Sequence, residues 1–383
     1  MRLPAPPTIQ VSLLFWGSSL EPLGVQSAGA SIDRTNFLMD ISIIIPTHNR
    51  AALIEEAVRS AVGMDYPPGR YEVIVVDNAS TDSTPEVVKN LQNNTNGRSL
   101  HYVREEQLGL HHARHAGARA ARGEVLVFTD DDASFDLGWL KAYSDAFEEH
   151  PEMVAAGGPV RPVWENAPPR WFVDYMEREF RDSKMFGILS LMEPHDKFCL
   201  GPEAFFWGVN MAIRRDVLFK VGGFNPEAFG NTWLGDGESG LDRKLRERGM
   251  LVGYVPEAIV YHHIPPQRMT VEYLCLRMAN QGACQMYSHF HYGVPHWLGL
   301  FKHAADIALR NGKYWAAALL LRGRTDTRSL DIQINAATTQ SQFKYIARLM
   351  FDKELRKLVL KDDWLNTSSG SVHFPIFSAL KKR

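Results

Sequence analysis

Three short apolar runs, each stopped by residues that cannot extend a strand, constrain this chain more than any other feature. Residues 41–45 end at Pro46, residues 71–76 at Asp77, and residues 125–129 at Asp130-Asp131-Asp132. Such runs, largely β-branched and without polar alternation, read as strands buried on both faces, as parallel strands are. Helical patterns separate them. Leu53, Ile54, Ala57, Val58 and Ala61 recur at helical spacing over 51–62, closed by Pro67-Pro68-Gly69. Thr84 before Pro85 opens a helix to about Gln92. A weaker strand at 100–103 and an Ala-rich helix at 110–121 follow. Parallel strands need crossover connections, so the alternation predicts an α/β fold: a Rossmann-like, mostly parallel sheet with helices on both faces. Ligands in such sheets bind beyond the carboxyl ends of the strands, which brings Asp77 and Asp130 to one crevice.

The chain has 383 residues, long for one core, so an appendage is expected. Residues 39–270 form the catalytic domain in this reading and 271–383 a helical C-terminal region, with helices near 302–321 and 343–360. Past residue 150 the pattern is mixed, with helices predicted at 208–220 and 241–248. Residues 1–38 imitate a secretory signal poorly: the apolar run is short, and Pro4, Pro6 and Pro7 interrupt its start. They read as a disordered extension or a misplaced start, Met39 standing just before the first strand.

A net charge of -2 with 22% charged residues carries no nucleic-acid footprint. No apolar run approaches the ~18–20 residues that span a bilayer. Cys199, Cys275 and Cys284 are odd in number and lack close spacing, so neither a disulfide framework nor a zinc site is implied. A cytoplasmic setting follows.

The aspartates carry the chemistry. An isolated acidic triplet is more often a solvated loop, but at the end of a buried strand adjacent carboxylates need a cation or donors to offset their repulsion. Mg²⁺ or Mn²⁺ bridges one or two carboxylates to substrate phosphates, which points to a nucleotide diphosphate. Asp132 is the expected metal ligand, and Asp130 is shared between ribose and metal.

The segments Ile43-Ile44-Ile45-Pro46-Thr47-His48-Asn49-Arg50, Val75-Val76-Asp77-Asn78-Ala79-Ser80-Thr81-Asp82 and Phe128-Thr129-Asp130-Asp131-Asp132 resemble family 2 glycosyltransferases. The resemblance implies the GT-A fold and an inverting transfer from a nucleotide-sugar donor with a uracil base. Pro46, Thr47 and Asn49 would lie in the nucleotide pocket, Asp77 would bond the base, and Asp130 with Asp132 would form the D-x-D element. Arg114-His115-Ala116-Gly117 is similar to an Arg-Asn-x-Gly segment, with His115 where Asn is usual, so Arg114 would position the nucleotide. Asn210 would sit near the donor sugar, or simply cap a helix. Asp236-Gly237-Glu238 resembles an altered Glu-Asp element: Glu238 would be the general base with Asp236 in reserve, although both also suit a helix N-terminus. His262 resembles a metal-closing histidine, and Arg268 offers a fork for phosphate.

The acceptor implied is a glycan or a lipid-linked sugar, in cell-surface polysaccharide synthesis. Trp297, Phe301, Lys302, Lys313, Tyr314, Trp315 and Arg322 suggest peripheral contact with the inner face of a membrane, or plain packing. The competing readings are a nucleotidyltransferase, which would carry a Gly-rich loop after the first strand, and a non-catalytic sugar-nucleotide or glycan-binding protein.

Overall fold

A computed structural model describes residues 40–95, 98–229, 232–233, 235–293 and 297–366. The extension expected at 1–38 lies outside them.

Eight strands form the main sheet, in the order Cys199–Leu200, Leu251–Tyr254, Met153–Gly157, Met211–Arg214, Val125–Phe128, Ile41–Thr47, Tyr71–Asn78 and Leu100–Glu105. Ile41–Thr47 pairs in parallel with both Val125–Phe128 and Tyr71–Asn78. The sheet is doubly covered, and period-2 alternation assigns the faces. Ile43, Ile45, Val73, Val75 and Val127 pack under helices Ile54–Val62, Thr84–Gln92 and Trp139–Glu149. Ile44, Ile74, Val76, Leu126 and Phe128 face helices Leu110–Ala120, Arg215–Lys220 and Gly237–Glu247. The α/β class read from the sequence is therefore the class observed.

One element differs. The helix predicted over 208–220 is a strand, Met211–Arg214, followed by a short helix, Arg215–Lys220. That strand runs antiparallel between Val125–Phe128 and Met153–Gly157, deep in the sheet. Local helical spacing gives way there to two ladders of backbone hydrogen bonds and to full burial of Met211, Ala212 and Ile213.

A second sheet of five short strands contains Ala133–Phe135, Val260–Ile264 and Val160–Trp164. It grows directly out of the aspartate turn: Ala133–Phe135 pairs with Val260–Ile264, which sets Ala133 opposite His262.

The C-terminal part is helical, with Val271–Tyr292, Trp297–Leu320, Thr327–Phe351 and Lys353–Val359. Val271, Leu274, Met278, Leu330 and Ile334 join the core beneath the first sheet. Ala283, Met286, Leu300, Ala304, Ile307 and Leu349 make a core of their own. No described helix is long and apolar enough to cross a membrane.

Candidate active site

Two loops at the carboxyl ends of neighbouring strands are stitched together. Asn49, in the left-handed region at φ 53°, accepts from the Thr81 amide at 2.8 Å, and its own amide donates to Ser80 Oγ at 2.9 Å. The Arg50 amide donates to Thr84 Oγ1 at 3.1 Å. Asp77 lies fully buried beneath this seam, accepting from the Ser80 amide at 2.9 Å, Tyr102 Oη at 2.6 Å and Arg104 at 2.8 Å. Burial alone would raise its pKa, but these donors hold it below the usual carboxylate range. Asn78 ties down the following connection, donating to Gln107 O and accepting from the Gly109 amide.

The three aspartates point three ways. Asp131 turns back to the first strand and accepts from Thr47 Oγ1 at 2.7 Å. Burial, and then the charge of Asp132, push its pKa up to about 7. Asp132 accepts from Arg268 Nη2 at 2.6 Å and lies 3.3 Å from His262 Nε2. Against the penalty of burial, the guanidiniums of Arg268 and Arg50 hold its pKa well below the usual range. Asp130 keeps about a third of its side chain open and faces Arg114 at 3.8 Å. Crowding by protein atoms raises its pKa, Arg114 opposes this, and the Asp132 charge adds to it.

Arg114 organises the opposite wall. It is nearly fully buried, donates to Glu227 Oε1 at 2.8 Å and lies 3.6 Å from Glu238 Oε2. Its helix can approach the sheet only because residue 117 is glycine: a Cβ there would sit 2.5 Å from Ile44 Cγ2. Gly208 leaves the room that the guanidinium fills, since a Cβ would meet Nη2 at 2.2 Å. His115 does not reach the cleft. Its Nε2 accepts from the Phe224 amide at 2.9 Å, and Phe224 in turn lies under the Arg114 guanidinium at 5.2 Å. The helix thus fixes the 223–227 loop and with it Glu227.

Glu227 is the site residue that the sequence reading missed. Its carboxyl hydrogen-bonds to Glu238. Burial, followed by the charge of Glu238, raises its pKa well above the ordinary value. Glu238 stays below its ordinary value: burial opposes ionisation, while Arg114 and the Glu227 hydrogen bond favour it. Asp236, the reserve base, is buried at the start of helix Gly237–Glu247, and its two oxygens accept from Asn225 and Ser288, each at 2.9 Å.

Asn210 requires a correction. It caps no helix, and its side chain is completely engaged. Oδ1 accepts from Trp139 Nε1 and Tyr143 Oη, while Nδ2 donates to the carbonyls of Pro159 and Ala258. An amide offers four such bonds, so none is left for a sugar.

The donor set around Asp132 fits a divalent cation. His262 Nδ1 lies 2.9 Å from the Leu189 carbonyl, which only accepts, so Nδ1 carries the proton and the bare Nε2 faces Asp132. Nε2 and Asp132 both face the Arg268 guanidinium, a positive group between two lone-pair donors. No three His, Cys, Asp or Glu side chains among the described residues close into a complete cage.

Residues 42–222 match Glycosyl transferase family 2. Among curated proteins, the chain is 26% identical over 254 residues to a glucosyl-dolichyl phosphate glucuronosyltransferase of Haloferax volcanii, covering 64% of this chain and 75% of that one. It is 28% identical over 221 residues to a validoxylamine A glucosyltransferase of Streptomyces hygroscopicus subsp. limoneus, covering 51% of this chain and 46% of that one. The chain thus spans less than half the length of the second relative. A solved mannosyltransferase from Pyrobaculum calidifontis, in complex with GDP-Man and Mn²⁺, superposes with a TM-score of 0.49 at 22% identity, covering 81% of this chain and 88% of that one. Segment 42–222 is thus the part of the chain that matches glycosyl transferase family 2, and with these relatives the chain is a glycosyltransferase.

Proposed function

We propose that this glycosyltransferase inverts configuration, moving a sugar from a nucleotide-diphosphate donor, a UDP-sugar by preference, to the hydroxyl of a lipid-linked or glycan acceptor. The observation that carries this reading is the convergence of Asp130, Asp132, His262 and Arg268 with Arg114, Glu227 and Glu238 beyond the carboxyl ends of the strands. The relative that acts on a glucosyl-dolichyl phosphate supports a lipid-linked acceptor. Cell-surface polysaccharide synthesis at the inner face of a membrane is the setting this implies.

The seam of Pro46, Thr47 and Asn49 with Asp77 holds the nucleoside in this reading. Asp132 and His262 Nε2 would hold Mn²⁺ or Mg²⁺, which would supply charge stabilisation for the departing diphosphate. Arg268, paired with Asp132 at 2.6 Å, would offer its fork to the phosphates. Glu238, ionised and a fifth exposed, accepts the proton of the acceptor hydroxyl. Glu227, holding a proton, donates to Glu238 and keeps its carboxylate oriented. Attack on the face opposite the leaving group needs no covalent intermediate. Asp236 is enclosed, which favours Glu238 as the base.

Nucleotide products from a panel of nucleotide sugars with Mn²⁺ and an acceptor test the reading. Release of the nucleoside diphosphate supports sugar transfer; pyrophosphate instead would indicate nucleotidyl transfer, and no product with any donor would count against catalysis.

A further inference from the structure

Helix Trp297–Leu320 has two unlike faces. Leu300, Ala304, Ile307 and Tyr314 are buried within the helical core, where Trp315 packs at its edge and donates from Nε1 to Thr339 Oγ1 at 2.8 Å. The other face is apolar as well, yet open. Phe301 is 63% exposed, Leu309 85%, Leu319 78% and Leu320 87%, with exposed Ala305 and Ala316 between them. Residues 301, 305, 309, 316 and 320 follow helical spacing, so these side chains form one stripe rather than scattered exceptions. Large apolar side chains exposed elsewhere, such as Leu108, Leu137 and Leu251, stand singly.

The stripe is bordered by positive charge. Over 299–324 the chain carries Lys302, Arg310, Lys313, Arg322 and Arg324 against Asp306 alone, in a molecule whose net charge is -2. Asp306 pairs with Arg310 at 2.7 Å, which leaves Lys302 and Lys313 along the stripe's edge. At the helix end, Arg322 and Lys344 line a groove of about 440 Å³ together with the apolar Val271, Leu276 and Ala279 and the acidic Glu272. Leu276 is itself 58% exposed, so the open apolar surface continues past the helix.

An apolar stripe edged by lysine and arginine matches the interface of an anionic bilayer, where apolar side chains enter the headgroup boundary and basic ones pair with lipid phosphates. A second copy of this chain is a poorer fit, because pairing the stripe with itself would bring two positively bordered surfaces together with only Asp306 to offset them. We propose that helix Trp297–Leu320 docks the enzyme flat on an anionic membrane surface, with Phe301, Leu309, Leu319 and Leu320 inserted and Lys302, Lys313 and Arg322 on the headgroups. This deepens the lipid-linked acceptor reading, on which its purpose rests.

Flotation of the full chain with phosphatidylcholine vesicles, with and without about a third phosphatidylglycerol, tests the docking. The wild type is expected to float with the anionic vesicles and to be released as salt rises. L309D/L320D should lose about tenfold or more of the bound fraction, and K302A/K313A/R322A should lose binding with a flatter salt dependence. Thermal melts of both variants check that each is folded. Absence of flotation, or flotation unchanged in L309D/L320D, overturns the proposal. So does a concentration-dependent dimer abolished by L309D/L320D without vesicle binding, which would assign the stripe to a second copy. Nucleoside diphosphate release in vesicle-free solution, read on the same samples, fails only if the transferase reading fails.

Discussion

The two walls of the cleft handle charge in opposite ways. On one wall a single carboxylate, Asp132, faces two guanidiniums, Arg268 at 2.6 Å and Arg50 at 4.0 Å, so positive groups outnumber it and it stays ionised. On the other a single buried guanidinium, Arg114, serves Asp130, Glu227 and Glu238. Arg114 is shared among three carboxylates in a desolvated site, burial and the Glu238 charge raise the pKa of Glu227 well above its ordinary value, and the proposed reading places the retained proton there. The first wall suits holding phosphate and metal charge, the second suits exchanging a proton with a hydroxyl.

Removing Asp132 should break the comparison most severely. Asp132→Ala is expected to lower turnover by about 10⁴-fold or more, assayed as nucleoside diphosphate release with Mn²⁺. Glu238→Gln should cost about 10²–10³-fold in kcat with donor KM changed little; a variant with near-normal kcat would shift the base to Asp236. His262→Asn should raise the Mn²⁺ concentration for half-maximal rate by about 10–100-fold, leaving kcat at saturating metal closer to wild type.

Glu227→Gln is the smallest and sharpest change. Glutamine can still accept from Arg114 and donate to Glu238, so activity near neutrality should fall by only about a few-fold. In the wild type the folded state retains a proton that an unfolded glutamate releases, so this group's stabilising contribution declines as pH rises above the ordinary glutamate range. Loss of that proton also removes the donor that orients Glu238. The variant should therefore lose the alkaline limb of its rate–pH profile and keep the acid limb. An unchanged alkaline limb would remove Glu227 from the proton-handling wall.

These walls were unequally legible in the sequence. Asp132 stands out at the end of a buried strand, His262 and Arg268 enter through the family resemblance, and the second sheet sets His262 opposite Ala133, next to Asp132. Asp131 carries no local signal of its role, because its bond to Thr47 exists only once two parallel strands are adjacent. Glu227 follows Asn225-Pro226, which reads as a turn, and its partner Arg114 is 113 residues away. Nothing local distinguishes such a carboxylate from a solvated one. Asn210 and the strand Met211–Arg214 misled for a related reason: the local pattern allowed a helix, and pairing on both edges within the sheet decided otherwise.

Calorimetric titration of UDP, with and without Mn²⁺, into the wild type, Asp132→Ala and Glu238→Gln tests the division of labour most directly. The account predicts that Glu238→Gln binds like the wild type, tightly only with Mn²⁺, whereas Asp132→Ala loses the Mn²⁺ dependence. Mn²⁺-dependent binding that survives in Asp132→Ala and disappears in Glu238→Gln would contradict it.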